Sequence, residues 1–158
     1  MPGWFKVNVA DAQALTGPNA GSVVRFEDED APFEQVGINI RVLAPGQPNG
    51  RYHAENLQED FLVLAGECLV IVDGEEHRLR AWDFVHCPPG TPHIFVGAGD
   101  GPCAILMVGS RSETEEIVYS VSELAARFGA SVAAETNNPE EAYADWTSDL
   151  SPTRLDWP

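Results

Sequence analysis

Apolar residues in this chain fall in short runs separated by turn formers. Val, Ile, Leu and Phe gather in Ser22 to Phe26, Val36 to Leu43, Asp60 to Ala65, Cys68 to Val72, His77 to Arg80, Phe84 to Cys87, His93 to Val96 and Ala104 to Val108. Runs this short, punctuated by Gly, Pro, Asn and Asp, predict the strands of an all-β sandwich or barrel. Within Val36 to Leu43 the alternation is clean: Ile38, Ile40 and Val42 share one face, Asn39 and Arg41 the other. Cys68 to Val72 has no polar alternate, as a strand covered on both faces requires. Asn49-Gly50 and Asp73-Gly74 tolerate the positive φ angles of tight hairpin turns. Together these features predict a two-sheet roll.

Only the far end of the chain reads as helical. Val121 to Phe128 has Ser120 or Ser122 as N-cap and Gly129 as a stop, and Pro139 to Trp146 begins with a residue suited to a first helical position. From Glu135 onward the acids Glu135, Glu140, Glu141, Asp145, Asp149 and Asp156 face one base, Arg154, with Trp146 and Trp157 among them. This tail either docks by its aromatic rings or packs nowhere, and a tail over the barrel mouth would serve as a lid. At the other end, Trp4 to Val9 reads as a strand that joins a neighbouring copy's sheet or closes its own sheet edge.

Composition narrows the picture. A length of 158 residues fits one domain, here residues 1–158, with a barrel core over about 20–110 and the helical, acidic tail over about 120–158. Hydrophobic residues make up 44% and charged ones 22%, the balance of a globular protein. No apolar run approaches the roughly 20 residues of a membrane-spanning helix, and the start lacks a secretory leader, so a cytoplasmic address is expected. Acids outnumber bases 25 to 9, a net charge of -16, which repels nucleic acid and anionic lipid. Cys68, Cys87 and Cys103 form no C-x-x-C pair and read as small buried hydrophobes. The chain has no G-x-S-x-G elbow, phosphate loop or dinucleotide fingerprint.

The chemistry concentrates between Gly46 and Gly97. His53, Glu55 and Glu59 share parity, so an extended backbone can turn them to one side. His93 follows the Pro88-Pro89-Gly90 turn at the head of a later strand, where an antiparallel neighbour can bring it opposite the first group. Imidazole and carboxylate donors converging inside a barrel make a site for a divalent metal. His86 is either a partner near that metal or a core histidine. Tyr52 and Phe95 are candidates to wall a pocket, and Arg41 and Arg51 to hold a carboxylate or phosphate.

These residues resemble the cupin superfamily. His53, Glu55, Glu59 and Gly66 match its first motif at the family spacing, and Pro88, Gly90 and His93 match the second. The resemblance implies a double-stranded β-helix, or jelly-roll barrel, and a metal held at His53, Glu59 and His93. The fourth ligand position, His in the family, is Glu55 here. Other departures are Gly46, one residue out of place at the opening of the first motif, Trp82 at the opening glycine of the second, and Gly97 where Asn is usual. If Glu55 ligates, two His and two carboxylates favour Mn or Fe over copper, with Ni and Zn not distinguished. If it points away, a two-His-one-carboxylate face remains; a third alternative is a barrel that has lost its metal.

Three functional readings follow. The first is a metal-dependent enzyme on a small metabolite: a sugar or sugar-phosphate isomerase or epimerase with Glu55 as possible base, or an Fe(II)-type dioxygenase. The second is a non-enzymatic small-molecule-binding barrel. The third treats the roll as an assembly unit, since cupins commonly form homodimers.

Overall fold

The computed structural model describes residues 3–28 and 30–155, so Asp156 and Trp157 of the acidic tail lie outside the described residues. The strands are β1 (Ala14–Gly17), β2 (Gly21–Arg25), β3 (Val36–Leu43), β4 (His53–Glu55), β5 (Glu59–Ala65), β6 (Glu67–Val72), β7 (Glu75–Arg80), β8 (Phe84–Cys87), β9 (His93–Ala98), β10 (Cys103–Ser110), β11 (Ile117–Tyr119) and β12 (Ser151–Thr153). They form a seven-stranded sheet, ordered β12-β1-β2-β3-β10-β5-β8, facing a five-stranded sheet, ordered β11-β4-β9-β6-β7. Every pairing is antiparallel, as in the expected two-sheet roll.

Alternation along the strands decides what the roll encloses. Leu43, Phe61, Val63, Cys68, Val70, Cys87, Phe95, Cys103, Ile105 and Met107, drawn from both sheets, pack into one buried cluster. All three cysteines are free and sit in it as small apolar groups. Burying a side chain the size of Phe95 contributes about 2–3 kcal/mol. The opposite face of β3 carries Ile40 and Val42 outward, against Ala14, Val24 and Ala104 and the N-terminal Val9 and Ala12. Asn39 and Arg41 are therefore on the inner side, which leaves polar groups inside one end of the roll.

Turn chemistry is met locally. Asp73 and Gly74 take φ of 48° and 77°, closing the β6–β7 hairpin as their types predict. Asn49-Gly50 departs from expectation: neither φ is positive, and Asn49 instead brackets Phe95, donating its backbone N–H at 3.0 Å and accepting through Oδ1 at 2.9 Å. Trp82 holds a φ of 76°, which explains why the family places glycine there.

The termini differ most from the sequence reading. The strand expected over Trp4 to Val9 does not form; the chain reaches a short 3-10 turn at Val9–Asp11, and β1 takes the place beside β2. The helices shrink to α1 (Glu123–Ala126), N-capped by Ser122, and α2 (Pro139–Ala142), N-capped by Asn138. The tail docks. Ala125 and Ala130 pack on Tyr52, Ile71 and Ile94, while β11 and β12 extend the two sheets. It covers the outer side of the five-stranded sheet rather than the mouth of the roll.

Candidate metal centre

Strand pairing builds the site. β4 and β9 lie side by side with His53 and His93 as direct Cα partners, and their rings stand 5.0 Å apart. Glu59, at the start of β5, reaches the same point from the opposite sheet. One donor atom from each of His53, Glu59 and His93 lies within 4.8 Å of the others, so these three can hold a metal ion.

The hydrogen bonds prepare both imidazoles for that role. A carbonyl can only accept, so His53 Nδ1 donates to the Arg51 carbonyl at 2.7 Å and His93 Nδ1 donates to the Thr91 carbonyl at 2.9 Å. When neutral, rings in these tautomers turn their Nε2 lone pairs toward the cluster, the state a metal ligand needs. His93 Nε2 is buried without a hydrogen-bond partner, and the nearest carboxylate oxygen, Glu59 Oε2, stands 3.3 Å away. That contact is no salt bridge at neutral pH, because burial, followed by the His53 charge, pushes the His93 imidazolium down to about 4. With Glu59 ionised, two acceptors face each other, an arrangement that a cation between them would satisfy.

Charge in the cavity points the same way. Burial, then the neighbouring Glu55 carboxylate, raises Glu59 to about 7. Burial and Glu55 also raise Glu115, which lines the same space. For His53, burial opposes the charged form, but bonding to Glu55 and the Arg51 carbonyl and the charge of Glu59 lift it above its ordinary value. Three carboxylates, Glu55, Glu59 and Glu115, thus share one cavity of about 190 Å³, a concentration of negative charge that a cation would offset. Phe61 walls it, its ring 5.1 Å from His93 and 4.5 Å from Phe95.

The remaining site candidates divide. Glu55 lines the cavity with Oε1 3.6 Å from His53 Nε2, yet stands outside the converging trio. Phe95 is wholly buried and supports the His93 ring edge-on at 6.3 Å rather than reaching the cavity. Arg41 lines an adjoining cavity.

Tyr52, Arg51 and His86 lie away from the cavity that His53, Glu59 and His93 line. Tyr52 is buried beneath the tail, where its hydroxyl accepts from the Gly74 N–H at 3.2 Å. Arg51 is consumed in anchoring that tail: it donates to the carbonyls of Ala142 at 2.9 Å, Gly129 at 2.7 Å and Ser131 at 3.0 Å, and pairs with Asp145. Its side chain turns to the tail and away from His53, Glu59 and His93. His86 pairs with Asp60, one residue past Glu59, so it lies on the outer face, with Nδ1 2.6 Å from the Asp60 carboxylate.

Sequence reasoning missed Asn39 and Asn49, which also line the cavity, and Arg111, which guards it while bonded to Glu27. The signal for Asn39 was present in its alternation with Ile38 and Ile40. Arg111 lies just past β10, and nothing in the local pattern marks it.

Comparison with known proteins agrees with this fold. Residues 39–109 match the family model for a cupin domain, and the fold is shared with solved cupin structures. No curated protein matches it in sequence. A sugar phosphate isomerase from a cupin superfamily of Silicibacter pomeroyi is similar at a TM-score of 0.61 and 21% identity, over 94% of this chain and 92% of that one. The polyketide cyclase RemF of Streptomyces resistomycificus is similar at 0.59 and 14% identity, over 92% and 94%. A protein of Acidithiobacillus ferrooxidans, provisionally named a sugar phosphate isomerase, is similar at 0.54 and 22% identity, over 61% of this chain and 64%, under two thirds, of its own. Such identities establish a shared fold. Among the described residues, no helix is long and apolar enough to cross a membrane.

Proposed function

We propose that this chain is a metal-dependent enzyme acting on a small metabolite, with His53, Glu59 and His93 as ligands and Glu55 as the group that moves a proton. The observation that carries the reading is the buried, unpartnered His93 Nε2 facing Glu59. A bound divalent ion, Mn or Fe for this oxygen-containing donor set, would supply Lewis-acid polarisation of a substrate oxygen. The protein's own part follows from its residues. The Arg51 and Thr91 carbonyls hold the two imidazoles in one tautomer. Phe61 and Phe95 close the floor to water. Glu55, beside His53 but outside the proposed ligand trio, is a carboxylate placed to take a proton from a carbon next to a carbonyl. It returns the proton either to the former carbonyl carbon, with the hydroxyl proton passing to the former carbonyl oxygen, or to the same carbon with inverted configuration. This is isomerase or epimerase chemistry, and two neighbours bearing a sugar phosphate isomerase name agree with it at the level of fold.

A second reading, an Fe(II) dioxygenase, is favoured by the donor set itself, since two His and one carboxylate leave ligand positions open. The proposal treats residues 1–158 as one functional unit, a cytoplasmic homodimer. Light scattering on the chain with and without residues 1–10 tests the dimer, and a monomer in both cases removes it.

The test of function begins with metal content by elemental mass spectrometry, after purification without an immobilised-metal column, for the native chain and His93→Ala. Loaded protein is then incubated in D2O with aldose and ketose phosphates. Deuterium entering the substrate, and lost in Glu55→Gln, is the expected result. Oxygen uptake without deuterium exchange would replace this reading with the dioxygenase. A native chain that takes up no divalent metal would replace both with a binding barrel.

A further inference from the structure

Beside the metal cavity lies a second one, of about 300 Å³, lined by Arg25, Arg41 and Arg111 together with Glu27 and Asp28. Three of the nine bases in a chain of net charge -16 therefore meet in one place. The two cavities share a wall, for Gly37, Asn39 and Arg111 line both. Strand alternation accounts for this. On the inner face of β3, Gly37, Asn39 and Arg41 stand opposite Gly109, Met107 and Ile105 of β10, and Gly109 and Met107 stand opposite Glu59 and Phe61 of β5.

The three guanidinium groups are not equivalent. Arg111 is committed to structure: it binds both oxygens of Glu27, at 2.9 and 2.5 Å, and the Phe33 carbonyl at 2.6 Å. Arg41 makes one hydrogen bond, from Nη1 to the Ala20 carbonyl at 3.3 Å, and among the described residues pairs with no carboxylate. Burial disfavours its cation, and Arg25 adds to this, while Tyr143, which with Ala20 and Arg41 lines a further cavity, opposes it. A half-buried guanidinium fork with most of its donors unused is matched by a planar or tetrahedral oxyanion. On the shared wall, Asn39 Oδ1 is buried without a hydrogen-bond partner, so it asks for a donor.

We propose that this second cavity is an anion subsite, in which Arg41 takes the carboxylate or phosphate of a metabolite whose hydroxyl donates to Asn39 Oδ1 and whose remaining oxygens face His53, Glu59 and His93. The ligand class is then a small hydroxylated anion, either a hydroxy acid or a phosphorylated polyol. The last part of this statement rests on the metal-dependent reading; the anion subsite itself does not.

The experiment is calorimetric titration of chelator-treated full-length protein with inorganic phosphate and with glycolate, comparing the native chain, Arg41→Gln, Arg41→Lys and the exposed Arg154→Gln. The expected result is millimolar or tighter binding of at least one probe, weakened about tenfold or more in Arg41→Gln and unchanged in Arg154→Gln. The probe that binds more tightly identifies the group as phosphate or carboxylate. If Arg41→Gln does not fold, Arg41→Lys, which keeps the charge but loses the fork, carries the test and also binds more weakly. Equal affinity in the native chain and the Arg41 variants, or no binding of either probe by the native chain, overturns the subsite. Mn uptake by the same proteins is read separately: Arg41-dependent anion binding by a chain that takes up no metal keeps the subsite and overturns only the metal-dependent function.

Discussion

His53 and His93 are paired across two antiparallel strands, forty positions apart in the chain and 5.0 Å apart between ring centres. Each spends Nδ1 on a backbone carbonyl two residues before it. The same local geometry, repeated on neighbouring strands, leaves both Nε2 atoms for one point in space. Glu59 approaches that point from the facing sheet.

Metal binding separates ligands from neighbours. His93→Ala and Glu59→Gln each remove one of three donors and are expected to lower Mn affinity by more than about 100-fold, whereas Glu55→Gln lowers it by about tenfold or less. Calorimetry on chelator-treated protein measures all three. Equal losses in Glu55→Gln and Glu59→Gln would make Glu55 a fourth ligand.

Arg51 holds the tail rather than a substrate. Arg51→Met leaves three carbonyls and Asp145 without their donor in a largely buried site. It should cost about 3 kcal/mol in urea unfolding. Limited proteolysis should then cut first between residues 120 and 150. A variant as stable and as resistant as the native chain would contradict this role.

Glu27 gives the fold an acid-sensitive clasp. Its bonds with Arg111, offset in part by burial and aided by the Phe33 N–H, hold its carboxyl below the usual value of 4.5. A depressed carboxylate contributes stability that is complete above its unfolded value and is lost as pH falls through the folded one. Native stability should therefore decline below about pH 4.5 more steeply than that of Glu27→Gln, which is less stable by about 1 kcal/mol at pH 7. Parallel stability curves for the two proteins from pH 7 down to pH 3 would exclude the clasp.

Trp82 is exposed at 74% and holds a left-handed φ of 76°. Trp82→Gly should raise stability by about 1 kcal/mol, since relief of the Cβ conflict exceeds the entropy lost by a freer unfolded chain. A lower melting temperature would show that the indole makes contacts outweighing this strain.

Gly66 presents the opposite case. With φ of 71°, a Cβ there would lie 2.6 Å from the Pro102 carbonyl oxygen, so Gly66→Ala should cost about 2 kcal/mol or more. Thermal unfolding decides it, and a neutral substitution would mean that the β5–β6 turn can shift.

The sequence by itself determined the two-sheet roll, through local periodicity, and its resemblance to the cupin motifs pointed to the corner where His53, Glu59 and His93 converge. Strict alternation in Val36 to Leu43 assigns its two faces, and Pro88-Pro89-Gly90 sets His93 at the head of β9. Tertiary structure alone decided which polar groups share a cavity. Parity placed Glu55 with His53 and Glu59, and all three do line one cavity, but only the donors of His53, Glu59 and His93 converge within 4.8 Å. His86 projects to the other face because its partner Asp60 neighbours Glu59 on the strand, whereas Arg51, two residues before His53 and outside β4, is drawn away by the carbonyls of the docked tail. Arg41 and Arg111, distant from the motifs in the chain, come beside the site through pairing of β3 with β10. The short strands β11 and β12 have too little pattern to read, and their conformation comes from docking onto sheet edges that the rest of the chain creates.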